Sequence, residues 1–122
     1  RILVAEDNLT SQKILSALLS LEGHDLTFVE DGQAAVAAAV SKTFDVILMD
    51  VMMPVMDGPT AARRIRELGG RASGVPIIAL TANALVGDRD RYFAAGMTDY
   101  LAKPIDVTAL FAALARAAAL VE

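Results

Sequence analysis

The sequence contains no cysteine. This absence excludes disulfide-stapled folds, thiolate nucleophiles and metal sites with cysteine ligands, and it is compatible with a reducing cytoplasm, where we expect the protein to lie. Long apolar runs are also absent, because no stretch approaches the roughly 20 residues that a membrane helix needs. We therefore expect no membrane contact by this part of the protein.

Basic residues are few and scattered. Eleven Lys and Arg stand against 15 Asp and Glu, which gives a net charge of −4, and Arg63-Arg64 is the longest basic cluster. A nucleic-acid surface needs a basic patch to neutralise phosphates, so we expect no direct contact with nucleic acid.

The length bounds the organisation of the chain. Its 122 residues are enough for a single core and too few for two, which predicts one domain over residues 1–122. The chain starts with Arg1 rather than Met and shows no signal-peptide pattern, so we expect it to be a segment of a longer protein.

Five short apolar runs predict β-strands. They cover residues 2–5, 26–29, 46–50, 77–81 and 98–101. The first, third and fourth runs are continuously apolar, which is typical of parallel strands buried on both faces.

Segments with helical spacing lie between and after these runs. The stripes that we expect to be buried are Ile14, Leu15, Leu18 and Leu19 in the first segment, Ala61, Ala62, Ile65 and Leu68 in the third, and Val107, Leu110, Phe111, Leu114 and Val121 in the last. The second and fourth segments cover residues 33–40 and 88–95. Arg63, Arg64, Arg66 and Glu67 are expected to point outward, and Asp106 to cap the last helix.

The alternation of strand and helix predicts an α/β fold. Right-handed crossovers favour a five-stranded, parallel, doubly wound sheet of the flavodoxin-like kind, in the strand order 2-1-3-4-5 with five helices. Such sheets bind ligands outside the carboxyl ends of their strands, where the strand order reverses. Here that position lies between the first and third strands.

Polar side chains follow the strands at this edge. Glu6-Asp7 follow the first strand, Asp50 and Thr81 end the third and fourth, and Lys103-Pro104 follow the fifth. Carboxylates gathered in one cleft repel one another and need a cation, and Mg²⁺ suits oxygen ligands that share a phosphate. We predict Asp7 and Asp50 as direct ligands, with Glu6 holding a water of the ion.

The same residues predict phosphoryl transfer. A strand-end aspartate can attack phosphorus to form an acyl phosphate, and Asp50 is the predicted nucleophile. The transition state spreads charge over three equatorial oxygens. Lys103 and the metal are predicted to neutralise two of them, and the Thr81 hydroxyl to hydrogen-bond the third.

In these motifs the chain resembles the receiver domains of two-component response regulators over essentially its whole length. The resemblance rests on Glu6-Asp7, on Asp50 within residues 49–58, on Thr81 within Leu80-Thr81-Ala82, and on Lys103-Pro104. It implies that the Met52 backbone carbonyl is a further metal ligand and that the Lys103-Pro104 bond is cis. It also implies that Tyr100 is a switch aromatic, which rotates when phosphorylation draws in Thr81.

The resemblance also implies partners and an output. The expected partner is a histidine kinase or a histidine phosphotransfer domain, and the expected output is a switch of the surface formed by helix four, strand five and helix five. Residues 4–8 and 80–84 look like those of receivers attached to hybrid sensor histidine kinases, so we expect the parent to carry a kinase core, with this domain in the cytoplasmic part of a membrane-anchored sensor. The alanines Ala109, Ala112, Ala113 and Ala119 are expected on the exposed face of helix five, which permits a homodimer.

Two other functions compete with phosphorelay signalling. A phosphorylation-independent pseudo-receiver would be an interaction module, although such modules usually lose an acid, the threonine or the lysine. An aspartyl-phosphate phosphatase of the haloacid-dehalogenase type wants a second aspartate two residues after the nucleophile, where this chain has Met52. The kinase core itself is excluded, because His24 lies in a predicted loop and the chain lacks a glycine-rich nucleotide loop.

Overall fold

The computed structural model describes residues 1–20, 23–82 and 86–120, which form one α/β sandwich. The strands are β1 (Ile2–Ala5), β2 (Leu26–Val29), β3 (Val46–Asp50), β4 (Ile77–Thr81) and β5 (Asp99–Ala102). The helices are α1 (Leu9–Ser20), α2 (Gly32–Ser41), α3 (Gly58–Glu67), α4 (Val86–Ala94) and α5 (Val107–Leu120), with a short 3-10 helix at Gly70–Gly74.

All neighbouring strands pair in parallel in the order β2-β1-β3-β4-β5, as predicted. β1, β3 and β4 are buried along their whole length, whereas β2 and β5 at the edges are only partly covered. The continuously apolar runs are therefore the central strands, because only these have a helix layer on both faces and a strand on both sides.

The two faces of the sheet carry separate cores. One core packs Ile47, Met49 and Ala79 of the sheet under α2 and α3, together with Tyr92 of α4. The other packs the alternate strand residues against α1 and α5. Side chains of a strand alternate between faces, so this division tells which face each strand-end residue belongs to.

Several predicted helix faces need correction. Ile14, Leu68 and Val107 were expected in the core but are 48%, 40% and 43% exposed. Leu68 and Val107 lie at helix ends, and Ile14 lies beside the buried Leu15 within α1. In α5 Leu110 is buried as expected, but Phe111 and Leu114 are only partly buried and Ala113 and Ala117 complete the buried stripe, so the expectation that Ala113 lies on the exposed face is wrong. Val121 lies outside the described residues.

Arg66 is the other correction, since it was expected to point outward. Its guanidinium is half-buried and donates to the backbone carbonyls of Gly96, Ser73 and Val75, at distances of 2.6–3.1 Å. The side chain therefore ties α3 to the loop before β4 and to the turn after α4. The glycine-rich stretch at residues 69–74 contains the 3-10 helix.

Asp57 caps the helix that follows the predicted nucleophile strand. Its Oδ1 accepts a hydrogen bond from the Thr60 backbone N–H at 2.9 Å. Partial burial raises the pKa of Asp57, but the hydrogen bonds from Thr60 and the charges of Arg63 and Arg91 outweigh this, so the pKa is lowered overall. The folded state therefore favours the charged form of this carboxyl.

Asp57→Ala is expected to lower the free energy of unfolding by about 1 kcal/mol at neutral pH, because the α3 N-terminus loses its cap. Asp57→Asn keeps the cap acceptor and is the matched control. A carboxyl group whose pKa is lowered by folding stabilises the folded state at pH values above the ordinary aspartate pKa of about 4. This stabilisation is lost as the pH falls through the pKa of the folded state. In urea unfolding, the free energy of unfolding of wild type should therefore increase relative to that of Asp57→Asn from about pH 3 to pH 7. A gain in the opposite direction would contradict the lowered pKa.

Candidate active site

The carboxyl edge of the sheet brings three acids together. Glu6, Asp7 and Asp50 each offer a carboxylate oxygen, and these oxygens lie within 4.8 Å of one another. Ala5 pairs with Met49 in the β1–β3 register, so the residues that follow each strand are neighbours in space. The predicted cluster of acids is thus present at the point where the strand order reverses.

Lys103 closes this cluster from the other side. Its Nζ donates to Asp50 Oδ2 at 3.0 Å and to both carboxylate oxygens of Glu6 at 3.1 and 3.3 Å. Thr81 pairs with Ala102 in the β4–β5 register, so Lys103 follows directly beyond the sheet. The Lys103-Pro104 bond is cis, as predicted.

Burial makes this charge cluster costly without a counterion. Glu6 is fully buried and Asp50 is 5% exposed, whereas Asp7 is open to solvent. Burial first, and then the hydrogen bond and charge of Asp50, raise the pKa of Glu6 to about 7 against the opposing effect of Lys103. Burial lowers the pKa of Lys103, but its bonds to Asp50 and Glu6 outweigh this, so the lysine pKa is raised overall. The lysine therefore stays charged, and because one ammonium faces three carboxyl groups, a further cation would stabilise the cluster.

The chain around Asp50 is arranged by close backbone packing. The Met52 N–H donates to Asp50 Oδ1 in a long bond of 3.4 Å, so the Met52 backbone lies beside this carboxylate while its side chain is 79% exposed. The Gly58 N–H donates to the Val51 carbonyl at 2.9 Å. A Cβ at Gly58 would overlap the Asp50 carbonyl oxygen and lie 3.0 Å from the Val51 Cα. Glycine is thus required where α3 begins against the end of β3.

Gly58→Ala is expected to cost roughly 1–3 kcal/mol of unfolding free energy, because a methyl group would press on backbone that cannot rotate away. Gly74→Ala is the control, since a Cβ there meets no atom within 4 Å. Thermal unfolding followed by circular dichroism measures both variants. Equal stability of Gly58→Ala and wild type would contradict this, because it would show that the backbone at the end of β3 can shift to accommodate the methyl group at little cost.

The hydroxyls of Thr81 and Tyr100 both contact residues of α4. The Thr81 hydroxyl is 2.9 Å from the Tyr92 hydroxyl, and both side chains are buried. The Tyr100 hydroxyl instead accepts a hydrogen bond of 2.7 Å from Arg89, whose guanidinium lies 5.3 Å from the centre of the Tyr100 ring. Tyr92 was missed in the sequence, where only its position 11 residues after Thr81 in an amphipathic segment could have pointed to it.

Comparison with known proteins decides the family of this chain. The family model for the response regulator receiver domain matches residues 2–115. The chain belongs to this family. Its members are the receiver domains of two-component phosphorelay systems, which agrees with the resemblance in the acidic, threonine and lysine motifs.

Two relatives belong to histidine kinases. Hybrid signal transduction histidine kinase I of Dictyostelium discoideum is 39% identical over 117 residues, which cover 91% of this chain and 7% of that kinase. The receiver domain of sensor histidine kinase PA1611 from Pseudomonas aeruginosa PAO1 is 47% identical with a TM-score of 0.89, covering 97% of this chain and 96% of that one. That structure holds a magnesium ion coordinated in its active-site cleft.

The third relative was solved with its partner. The complex of the Saccharomyces cerevisiae histidine phosphotransfer protein Ypd1 and the receiver domain of Ssk1 matches with 31% identity and a TM-score of 0.84, over 90% of this chain and 82% of that one. The receiver domain of Ssk1 thus pairs with a histidine phosphotransfer protein. In the part of this receiver domain that the structure describes, no helix is long and apolar enough to cross a membrane.

Proposed function

We propose that this receiver domain takes a phosphoryl group from a partner phosphohistidine onto Asp50 in a Mg²⁺-dependent reaction. The observation that carries this proposal is the approach of Glu6, Asp7 and Asp50 to within 4.8 Å at the sheet edge, with Lys103 bonded to Asp50. Phosphorylation would then switch the surface formed by α4, β5 and α5.

The acids fit a magnesium ion. Mg²⁺ prefers hard oxygen ligands, uses few protein carboxylates and keeps several waters. Asp7 is exposed and Asp50 lies beside the Met52 backbone, so these two carboxylates and the Met52 carbonyl would hold the ion, with Glu6 behind them. When bound, the ion would neutralise charge on the transferring phosphoryl group.

The protein side of the reaction follows from the positions of Asp50 and Lys103. A carboxylate oxygen of Asp50 forms the new bond to phosphorus while the bond from phosphorus to the histidine nitrogen breaks, and the imidazole leaves with the electron pair. Lys103 lies 3.0 Å from Asp50 Oδ2, so its ammonium can follow the charge onto the phosphoryl oxygens. The result is an acyl phosphate on a strand end.

Thr81 and Tyr100 would pass this change to the surface. The Thr81 hydroxyl would donate to a phosphoryl oxygen, and Tyr100 on β5 would change its packing in response. The two packings are states of one equilibrium, and phosphorylation shifts their populations by its different interaction with each.

The donor and the parent protein are inferred from the relatives. The Dictyostelium relative is a hybrid histidine kinase and the yeast receiver binds a phosphotransfer protein, so we expect phosphate to reach Asp50 from such a kinase or phosphotransfer domain. Genomic sequencing of the parent reading frame tests this expectation. A frame that joins the receiver to a DNA-binding domain would contradict a hybrid kinase. One of the two segments on which the hybrid-kinase expectation rests is residues 80–84, and its residues 83 and 84 lie outside the described residues.

Helix α5 remains a proposed homodimer face. Ala112 and Ala119 are exposed and Ala109 is partly covered, so part of the predicted alanine surface is present even though Ala113 is buried. Light scattering over a concentration series, with Ala112→Glu as the variant, tests the face. A dimer that the glutamate does not weaken would exclude it.

The proposed reaction is tested with acetyl phosphate as a small donor. Intact mass spectrometry should show one added phosphoryl group in the presence of Mg²⁺ and none when the metal is chelated. A folded protein that gains no mass under either condition would contradict the proposal and would favour a phosphorylation-independent interaction module.

A further inference from the structure

The hydroxyl groups of Thr81 and Tyr92 form a buried pair between the sheet and α4. Their oxygens are 2.9 Å apart, Thr81 is 3% exposed and Tyr92 is 1% exposed. Thr81 ends β4 and Tyr92 lies in the last turn of α4, so the bond links a site residue directly to the helix that follows it. A hydrogen bond in so dry a position is costly to lose without a replacement.

The sheet places this pair on the opposite face from the nucleophile. Asp50 is two residues after Leu48 in β3, so it starts on the face that carries the core under α1 and α5. Thr81 is two residues after Ala79 in β4, so it starts on the other face, whose core contains Ala79 and Tyr92. Asp50 pairs with Leu80, one residue before Thr81, so the two side chains start on different faces of neighbouring strands. The Thr81 hydroxyl must turn away from α4 to reach a group on Asp50.

Tyr92 and a phosphoryl group on Asp50 compete for the Thr81 hydroxyl because they lie on different faces of the sheet. A hydroxyl that turns to donate to a phosphoryl oxygen moves out of reach of Tyr92, whichever of the two oxygens donates in their contact. On the basis of the proposed function, we infer that Tyr92 is a positioning residue that holds the Thr81 hydroxyl toward α4 until a phosphoryl group on Asp50 displaces it. Tyr92 therefore sets how readily Thr81 joins the site.

Tyr100 provides a natural contrast. Its hydroxyl is bonded to Arg89 on α4, and its ring is only partly covered. Tyr92 lies in α4 itself and is bonded to Thr81, so the two tyrosine hydroxyls make different connections between the sheet and α4.

The test compares the affinity of the protein for beryllofluoride, a phosphoryl-like ligand, in the presence of Mg²⁺. Tyr92→Phe keeps the buried ring and removes one partner of Thr81 in the free protein only. Its dissociation constant is therefore expected to fall roughly three- to ten-fold, the range of one net hydrogen bond. The control is the Thr81→Val background, which lacks the hydroxyl that Tyr92 holds, and there Tyr92→Phe should change nothing.

Each outcome decides something. Equal or weaker binding by Tyr92→Phe, or the same tightening in the Thr81→Val background, would overturn the inference while leaving phosphorylation of Asp50 intact. Wild type that binds no beryllofluoride would overturn the proposed function and this inference with it. If Tyr92→Phe does not fold, the Tyr92 ring-carbon resonance next to the hydroxyl is followed in wild type. A shift on saturation supports the displacement, and an unchanged resonance contradicts it.

Discussion

Asp50→Asn is expected to abolish phosphoryl uptake from acetyl phosphate. An amide is too poor a nucleophile to form the acyl bond, and the substitution also removes a carboxylate from the group of Glu6, Asp7 and Asp50. Intact mass spectrometry with Mg²⁺ should show no adduct for the variant and one for wild type. Because the substitution relieves repulsion between carboxylates, we expect the variant to be no less stable than wild type.

Asp57→Asn is the control for this loss. Asp57 caps α3 after the same strand but lies outside the group of three acids, so its replacement should leave phosphoryl uptake unchanged. Uptake that survives in Asp50→Asn, or that disappears in Asp57→Asn, would show that another aspartate carries the phosphoryl group.

Lys103→Gln is expected to have the largest effect on stability. Lys103 is 25% exposed and neutralises Glu6 and Asp50, whose side chains are 0% and 7% exposed. Removing one partner from a buried ion pair leaves uncompensated charge and costs about 3–5 kcal/mol. Because this lysine is partly solvated, we expect a loss near the low end, about 3 kcal/mol, in urea unfolding at neutral pH without metal.

The pH dependence and a surface pair check the cause of this loss. Without the lysine, the pKa of Glu6 should rise beyond its value of about 7. A raised carboxyl pKa costs stability as the pH rises. The loss in free energy of unfolding of Lys103→Gln should therefore be smaller at pH 5 and larger at pH 8. Mg²⁺ should restore part of it by binding the folded state. Arg116→Gln breaks the exposed pair with Asp99 and should cost much less stability than Lys103→Gln, because solvent screens this pair. Equal losses in both variants would contradict a buried charge cluster.

The central architecture could be predicted from sequence because its physical cause is local. β1, β3 and β4 are continuously apolar since helices cover both their faces, and the alternation with helical segments then limits the topology. The predicted fifth strand, 98–101, was displaced by one residue from Asp99–Ala102. Edge strands carry a weaker pattern because solvent reaches them.

The site divides in the same way. The sequence could predict that four site residues lie close together, because parallel strands end at one edge of the sheet. Each of these residues ends or directly follows its strand: Glu6, Asp7, Asp50 and Lys103. Tyr92 could not be predicted in this way, since its bond to Thr81 depends on how α4 is oriented over the sheet. Arg66 was missed for a similar reason. Its partners are backbone carbonyls of distant segments, and no local pattern marks a carbonyl as an acceptor.

Borohydride trapping of the phosphorylated protein tests the central claim most directly. Reduction converts an aspartyl phosphate into homoserine, and tandem mass spectrometry of the digest locates that residue in the sequence. Formation of an acyl phosphate on the nucleophile at the end of β3 predicts homoserine at position 50, only in samples that received both acetyl phosphate and Mg²⁺. Homoserine at position 7 instead, or at no position in a sample that carries the added mass, would contradict it.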